Sequence, residues 1–126
     1  MSGPDEVTME YAERSIVGML LADPSRLVYL GNLKPEQFTD PDLGSVYRVI
    51  LATRADGLVM VGAELRKRGT PLLASSPSWG VYLSSIVDDQ LKWMTIDENL
   101  PRYADLIIAA DTRRRLARLK GGDGAR

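Results

Sequence analysis

The run Ala12-Glu13-Arg14-Ser15-Ile16-Val17-Gly18-Met19-Leu20-Leu21 constrains the fold more than any other part of the chain. Met9, Ala12, Ile16, Met19 and Leu20 recur at the three- and four-residue intervals of one helix face. Thr8 stands where an N-cap is wanted, and Asp23-Pro24 closes the run. Gly18 lies inside this helix, where it costs about 1 kcal/mol relative to Ala. Its flanking residues are apolar, so the spacing predicts that another helix approaches closely at that point. A chain that begins in this way must supply further helices to pack on the first.

The rest of the sequence supplies them. Asp23-Pro24 also reads as a cap followed by proline at the first helical position, opening a short helix through Leu27, Val28 and Leu30 that Gly31-Asn32 ends. Lys34-Pro35-Glu36-Gln37-Phe38 predicts one turn that drops the single Phe into the core. Asp40-Pro41 repeats the cap-plus-proline start, with Leu43, Val46, Tyr47, Ile50 and Leu51 at helical spacing and a stop expected at Asp56-Gly57. Leu58-Val59-Met60-Val61 has the pattern of a strand. A lone short strand has no partner, so the segment is expected to be a linker or the beginning of a helix. Ala63 to Arg68 reads as a short helix stopped by Gly69, and the Ser- and Pro-rich residues 70–78 as a loop. A helix carrying Trp79, Tyr82, Leu83, Ile86 and Val87 follows. A second connection is expected from Asp88-Asp89 to Thr95, with Trp93 in it. Thr95 and Glu98 fit a capping box, but Asn99 is the better cap, because it puts Pro101 in the first turn. The last helix is expected from Leu100 to about Leu119. The expected organisation is an arm over residues 1–7, one domain over 8–120 and a loose tail or linker start over 121–126. The fold class is all-α, a compact bundle of about six helices.

Many chemistries are excluded by what is missing. The chain has no Cys and no His, which removes disulfides, Cys-based zinc sites and the commonest general base. No tight Asp/Glu cluster suggests a metal site. No glycine-rich string of the phosphate-binding or dinucleotide-binding kind occurs. The pairs Asp40/Asp42 and Asp88/Asp89 read as capping and solubility residues rather than acid–base pairs. No catalytic residue, cofactor or metal is expected. The acidic start is unlike a signal peptide and no apolar run is long enough to span a membrane, so the expected setting is cytoplasmic.

Charge is unevenly placed. From Arg102 onward seven basic residues (Arg102, Arg113, Arg114, Arg115, Arg118, Lys120, Arg126) face three acidic ones (Asp105, Asp111, Asp123), while the rest of the chain is net acidic. An acidic body argues against a domain-wide DNA-binding surface. The basic stretch is first expected to complement the dipole of its own helix end. Leu116 and Leu119 nevertheless stand among the cations, so the candidate partner-binding residues are Arg113, Arg114, Leu116, Arg118, Leu119 and Lys120. Trp79 and Tyr82 share helical spacing with Leu83 and Ile86 and are expected in the core. Trp93, beside Lys92, is the better candidate for a surface aromatic.

Several segments together resemble one family. Ala12 to Gly18 resembles the opening Ala-Glu-(Gln/Arg)-Ser-(Val/Ile)-(Leu/Val)-Gly string of the N-terminal domain of replicative DnaB-type helicases. Pro35-Glu36-Gln37-Phe38-Thr39-Asp40-Pro41, Val46-Tyr47-Arg48-Val49-Ile50, Gly62 to Gly69, Val81 to Ile86 and Asn99 to Ile107 are similar to later segments of that domain, in the same order. The likeness covers roughly Glu10 to Leu119. Two places depart from it. Gly57 to Val61 is shortened and lacks the Asp-Thr pair that would cap the next helix. Met94-Thr95-Ile96-Asp97-Glu98-Asn99 replaces a Thr-Pro-Ser-Ala-Ala-Asn loop.

The resemblance implies a helicase collar domain, non-catalytic by itself, that serves hexamer assembly and contacts primase or a helicase loader, touching DNA only indirectly. The family's subunit-pairing hairpin lies beyond the last helix, so weakened self-association by that route is expected. The alternatives are a stand-alone adaptor with the same fold and, less favoured, a small helical DNA-binding protein using the Arg113–Lys120 end.

Overall fold

The computed structural model describes residues 8–124. Residues 1–7, expected as an arm, and 125–126 lie outside them. Five α-helices, α1 (Met9–Ala22), α2 (Pro41–Thr53), α3 (Gly57–Lys67), α4 (Trp79–Trp93) and α5 (Leu100–Gly124), are joined by 3-10 segments at Pro24–Tyr29, Pro35–Gln37 and Asp97–Asn99. Among the described residues there is no strand. The Pro24–Tyr29 segment stands where the sixth helix was expected.

α1 is the centre of the bundle and touches the other four helices. Thr8 caps it, its hydroxyl accepting from the Tyr11 amide at 3.1 Å. The sequence spacing predicted one apolar face, yet burial runs from Ala12 to Leu21 with only Arg14 less than fully enclosed. A helix enclosed on nearly every side is what such a charge-poor run allows. Gly18 makes the predicted close approach: a Cβ built there would lie 3.0 Å from Cβ of Gln90 on α4.

The Asp-Pro starts form as expected. Asp23 accepts from the Ser25 amide at 3.0 Å, and Asp40 from the amides of Asp42 and Leu43. Phe38 is buried against Tyr47, whose hydroxyl donates to the Leu33 carbonyl at 2.8 Å. Trp79 and Tyr82 lie in the core, and the indole N–H of Trp79 donates to the Thr70 carbonyl, closing the base of the 70–78 loop.

Four expected boundaries move. α2 ends at Thr53, three residues short of Asp56-Gly57. Arg54 takes the left-handed conformation there (φ 57°), and its amide donates to the Ile50 carbonyl. Gly57 (φ 87°) opens α3 instead of ending α2, and Leu58 to Val61 is helical because Val61 is drawn fully into the core. This start lacks a side-chain cap, in keeping with the missing Asp-Thr pair. α4 runs on through Trp93, so Asp88, Asp89, Lys92 and Trp93 are helical rather than in a connection. Asp89 and Gln90 meet α1, which stabilises the extra turns. Thr95 does not form the capping box that its spacing to Glu98 fits; its hydroxyl meets that of Ser15 at 3.3 Å, and Asn99, the preferred cap, is the last residue of the 3-10 segment that leads into α5. α5 begins at Leu100 as expected but is assigned through Gly124, past the expected end near Leu119 and into residues expected as a tail. Consecutive glycines weaken a helix without being obliged to stop it.

At Gly18 the helix-propensity gain of a substitution opposes the 3.0 Å contact. Gly18→Val, with a branched Cβ facing Gln90, is expected to lower the free energy of unfolding by about 2 kcal/mol. Gly18→Ala is expected to fall short of the roughly 1 kcal/mol gain seen at open helix positions. Urea denaturation of the two variants against the parent chain checks both.

Candidate functional site

The polar residues of the α1 string are used inside the protein. Glu13 is fully buried, and its carboxylate accepts from the Thr39 amide (2.8 Å), the Thr39 hydroxyl (2.7 Å) and the Asp40 amide (3.0 Å). Burying a carboxylate is costly unless such donors replace water. Glu13 therefore ties α1 to the start of α2. Arg14 donates twice to Asp89 of α4, at 2.7 and 3.2 Å. Ser15 meets Thr95 beyond the end of α4, and Gly18 admits Gln90.

Asp42 has a similar role. It is buried and accepts from the Leu73 and Ala74 amides, both at 2.9 Å, pinning the 70–78 loop to α2. The Asp40/Asp42 pair is thus occupied by capping and loop anchoring, and Asp89 by Arg14. Among the described residues no group of three or more acidic side chains is placed to hold a metal ion. No helix among them is long and apolar enough to cross a membrane. Trp93 is half-buried rather than presented from a loop, its ring packed against that of Tyr11 at 4.5 Å between centroids with the planes tilted by 32°.

The C-terminal half of α5 differs in character. Its anchor is Asp111, which is buried and pairs with Arg114 (3.3 Å) and Arg115 (3.1 Å). Arg114 also donates to the Gln37 carbonyl at 3.1 Å, while the Gln37 side chain accepts from the Lys34 amide. Of the six candidate residues, Arg114 is therefore partly used inside the fold. Arg113, Leu116, Arg118, Leu119 and Lys120 are exposed, with Leu116 at 55% and Leu119 at 66%. These cations precede the last helical turn, outside the short range over which the helix dipole acts, so the expected dipole role does not account for them. Asp111 and Gln37, which position this end, were not singled out from sequence. The i, i+3 and i, i+4 spacing of Asp111 to Arg114 and Arg115 was the available signal.

Burial also shifts three phenols. The Tyr47 hydroxyl is pushed up to about 12. Tyr82 is raised by burial and then by the nearby carboxylates of Asp40 and Asp42, and Tyr103 by burial and then by Tyr11.

The architecture is thus an all-α head assembled around one enclosed helix, with a basic, leucine-bearing helix end leaving it. The profile of the DnaB-like helicase N-terminal domain matches residues 6–109. The chain belongs to that family, and the setting of DNA replication follows from it. The match stops ten residues before Leu119, where the resemblance was expected to reach. No curated protein and no solved structure matches the chain.

Two outcomes follow. Glu13→Ala leaves buried amides without an acceptor and is expected to cost about 3 kcal/mol in urea denaturation, with Glu13→Gln costing about half as much. The folded state also holds the tyrosine protons more tightly than the unfolded chain. Stability is therefore fully present below pH 10, the ordinary phenol value, and falls as pH rises toward about 12. Melting temperature against pH, with phenolate absorbance recorded in parallel, checks the direction.

Proposed function

We propose that this chain is the non-catalytic collar domain of a replicative DNA helicase, with residues 8–120 as its folded unit, serving hexamer assembly and contact with primase or a helicase loader. The observation that carries this reading is the family match over residues 6–109. The use of Glu13, Arg14, Asp42 and Asp89 in internal contacts is consistent with a domain that presents surfaces rather than performing chemistry. The α5 end supports a docking role: two exposed leucines flanked by Arg113, Arg118 and Lys120 offer an apolar contact with a basic rim. Apolar centres with charged rims are the usual anatomy of protein interfaces.

Calorimetric titration with the primase C-terminal domain of the same organism tests the proposal. Saturable binding is expected, weakened at least about tenfold by the charge reversals Arg118→Glu and Lys120→Glu together. Absence of binding to both primase and loader, or ATP hydrolysis by the purified chain, would overturn it.

A further inference from the structure

A cleft of about 630 Å³ lies between α2 and the Pro24–Tyr29 segment. Pro24, Leu27, Val28, Tyr47 and Leu51 wall it, and Arg54, at the end of α2, is its one charged lining residue. No residue of α5 contributes to it. Its size falls within the range of about 300–1,000 Å³ that ligand sites occupy. Leu27, Val28 and Tyr29 follow one another in the Pro24–Tyr29 segment, yet none of its residues is fully buried. Val28 is 79% exposed. A six-residue 3-10 segment is longer than that geometry usually sustains. An apolar turn that the core leaves uncovered is a surface short of a partner.

The polar groups of the cleft narrow the choice of partner. The Tyr47 hydroxyl donates to the Leu33 carbonyl and the Ser25 hydroxyl to the Asp23 carboxylate, so both already donate inside the fold. Arg54 is exposed, and none of the ion pairs among the described residues uses it. It takes the left-handed conformation (φ 57°), with its amide bonded to the Ile50 carbonyl. Glycine adopts that conformation without strain, so the arginine is held there at a backbone cost. Arg48 is exposed, is absent from the same ion pairs, and stands three residues before Leu51. That spacing puts it beside Leu51 on the surface of α2. The apolar wall is thus flanked by two unpaired cations.

We propose that this cleft binds an acidic peptide segment of a partner protein, in which a large apolar side chain is flanked by Asp or Glu. The apolar side chain enters between Leu27, Val28 and Leu51. A neighbouring carboxylate pairs with Arg54, and Arg48 receives a second. A small apolar acid leaves Val28 and Tyr29 uncovered, whereas a peptide continues over them. One open cleft buries little area, so the association is weak. The pairs at Arg48 and Arg54 face solvent, so they contribute modestly and weaken with salt. The cleft adds to the collar a contact site that does not involve α5.

NMR titration of the isotope-labelled chain with acetyl-Glu-Glu-Leu-Phe-Glu-Glu-amide tests the proposal. Saturable shifts are expected at the amides of Leu27, Val28, Gly31 and Leu51. The same peptide with Lys in place of Glu, or with Ala-Ala in place of Leu-Phe, is expected not to saturate. Arg54→Gly removes the cation while easing the backbone, and is expected to raise the dissociation constant about threefold. Arg54→Asp, which the left-handed conformation also tolerates, is expected to raise it about tenfold. Val28→Asp is expected to abolish binding, with unchanged helical circular dichroism because the position is exposed. Absence of saturable shifts through the millimolar range overturns the proposal. Equal binding of the Lys peptide, an Arg54→Asp variant that binds as well as the parent chain, or shifts centred on Leu116 to Lys120 does the same. Arg118→Glu with Lys120→Glu is expected to leave peptide binding unchanged. Primase binding without peptide binding removes this proposal alone, and peptide binding without binding to primase or loader removes only the collar reading.

Discussion

A carboxylate with none of its surface exposed organises this protein. Glu13 sits on the central helix, where water cannot reach it, and a buried charge is tolerable only when donors are fixed around it. The Thr39 amide and hydroxyl and the Asp40 amide are those donors, and they sit at the N-terminal end of α2. Satisfying one side chain therefore sets where α2 begins. Arg14, Ser15 and Gly18 extend the same logic to α4 and the residues after it. One short string thus specifies several long-range contacts, so its residue types are dictated by what each must meet across the bundle.

Much of the fold was legible because its signals are local. Asp23-Pro24 and Asp40-Pro41 mark starts by capping chemistry contained within two or three residues, and both form. The 70–78 loop announces itself by composition. The misplaced boundaries are those where a distant residue decides. Asp88-Asp89 looks like a connection until Asp89 is seen to bind Arg14, 75 residues earlier. Leu58 to Val61, by contrast, has a strand-like composition but was expected as a linker or helix beginning, and it forms the first turn of α3 with Val61 in the core. Glu13 itself gave no local sign of being buried, since a glutamate in the first turns of a helix is ordinarily solvated.

The surface divides in a comparable way. The net acidic body falls within residues 6–109, the part that matches the helicase N-terminal domain family. The cations and exposed leucines from Arg113 to Lys120 lie past that match, on a helix held to the head by Asp111, Arg114 and the Gln37 carbonyl. The candidate residues were found from sequence because leucines among arginines break the usual rule of a solvated helix end. The cleft beside Arg54 was not, because it exists only where the Pro24–Tyr29 segment approaches α2.

The central claim is that α1 holds the head together as one cooperative unit. Native-state hydrogen exchange across α1 addresses it most directly. The account predicts that the amides of Ile16 to Leu20 exchange only through global unfolding, with protection equal to the full stability of the domain, while the 70–78 loop opens at much lower cost. Exchange of those α1 amides through a local opening that leaves α4 and α5 protected would contradict it.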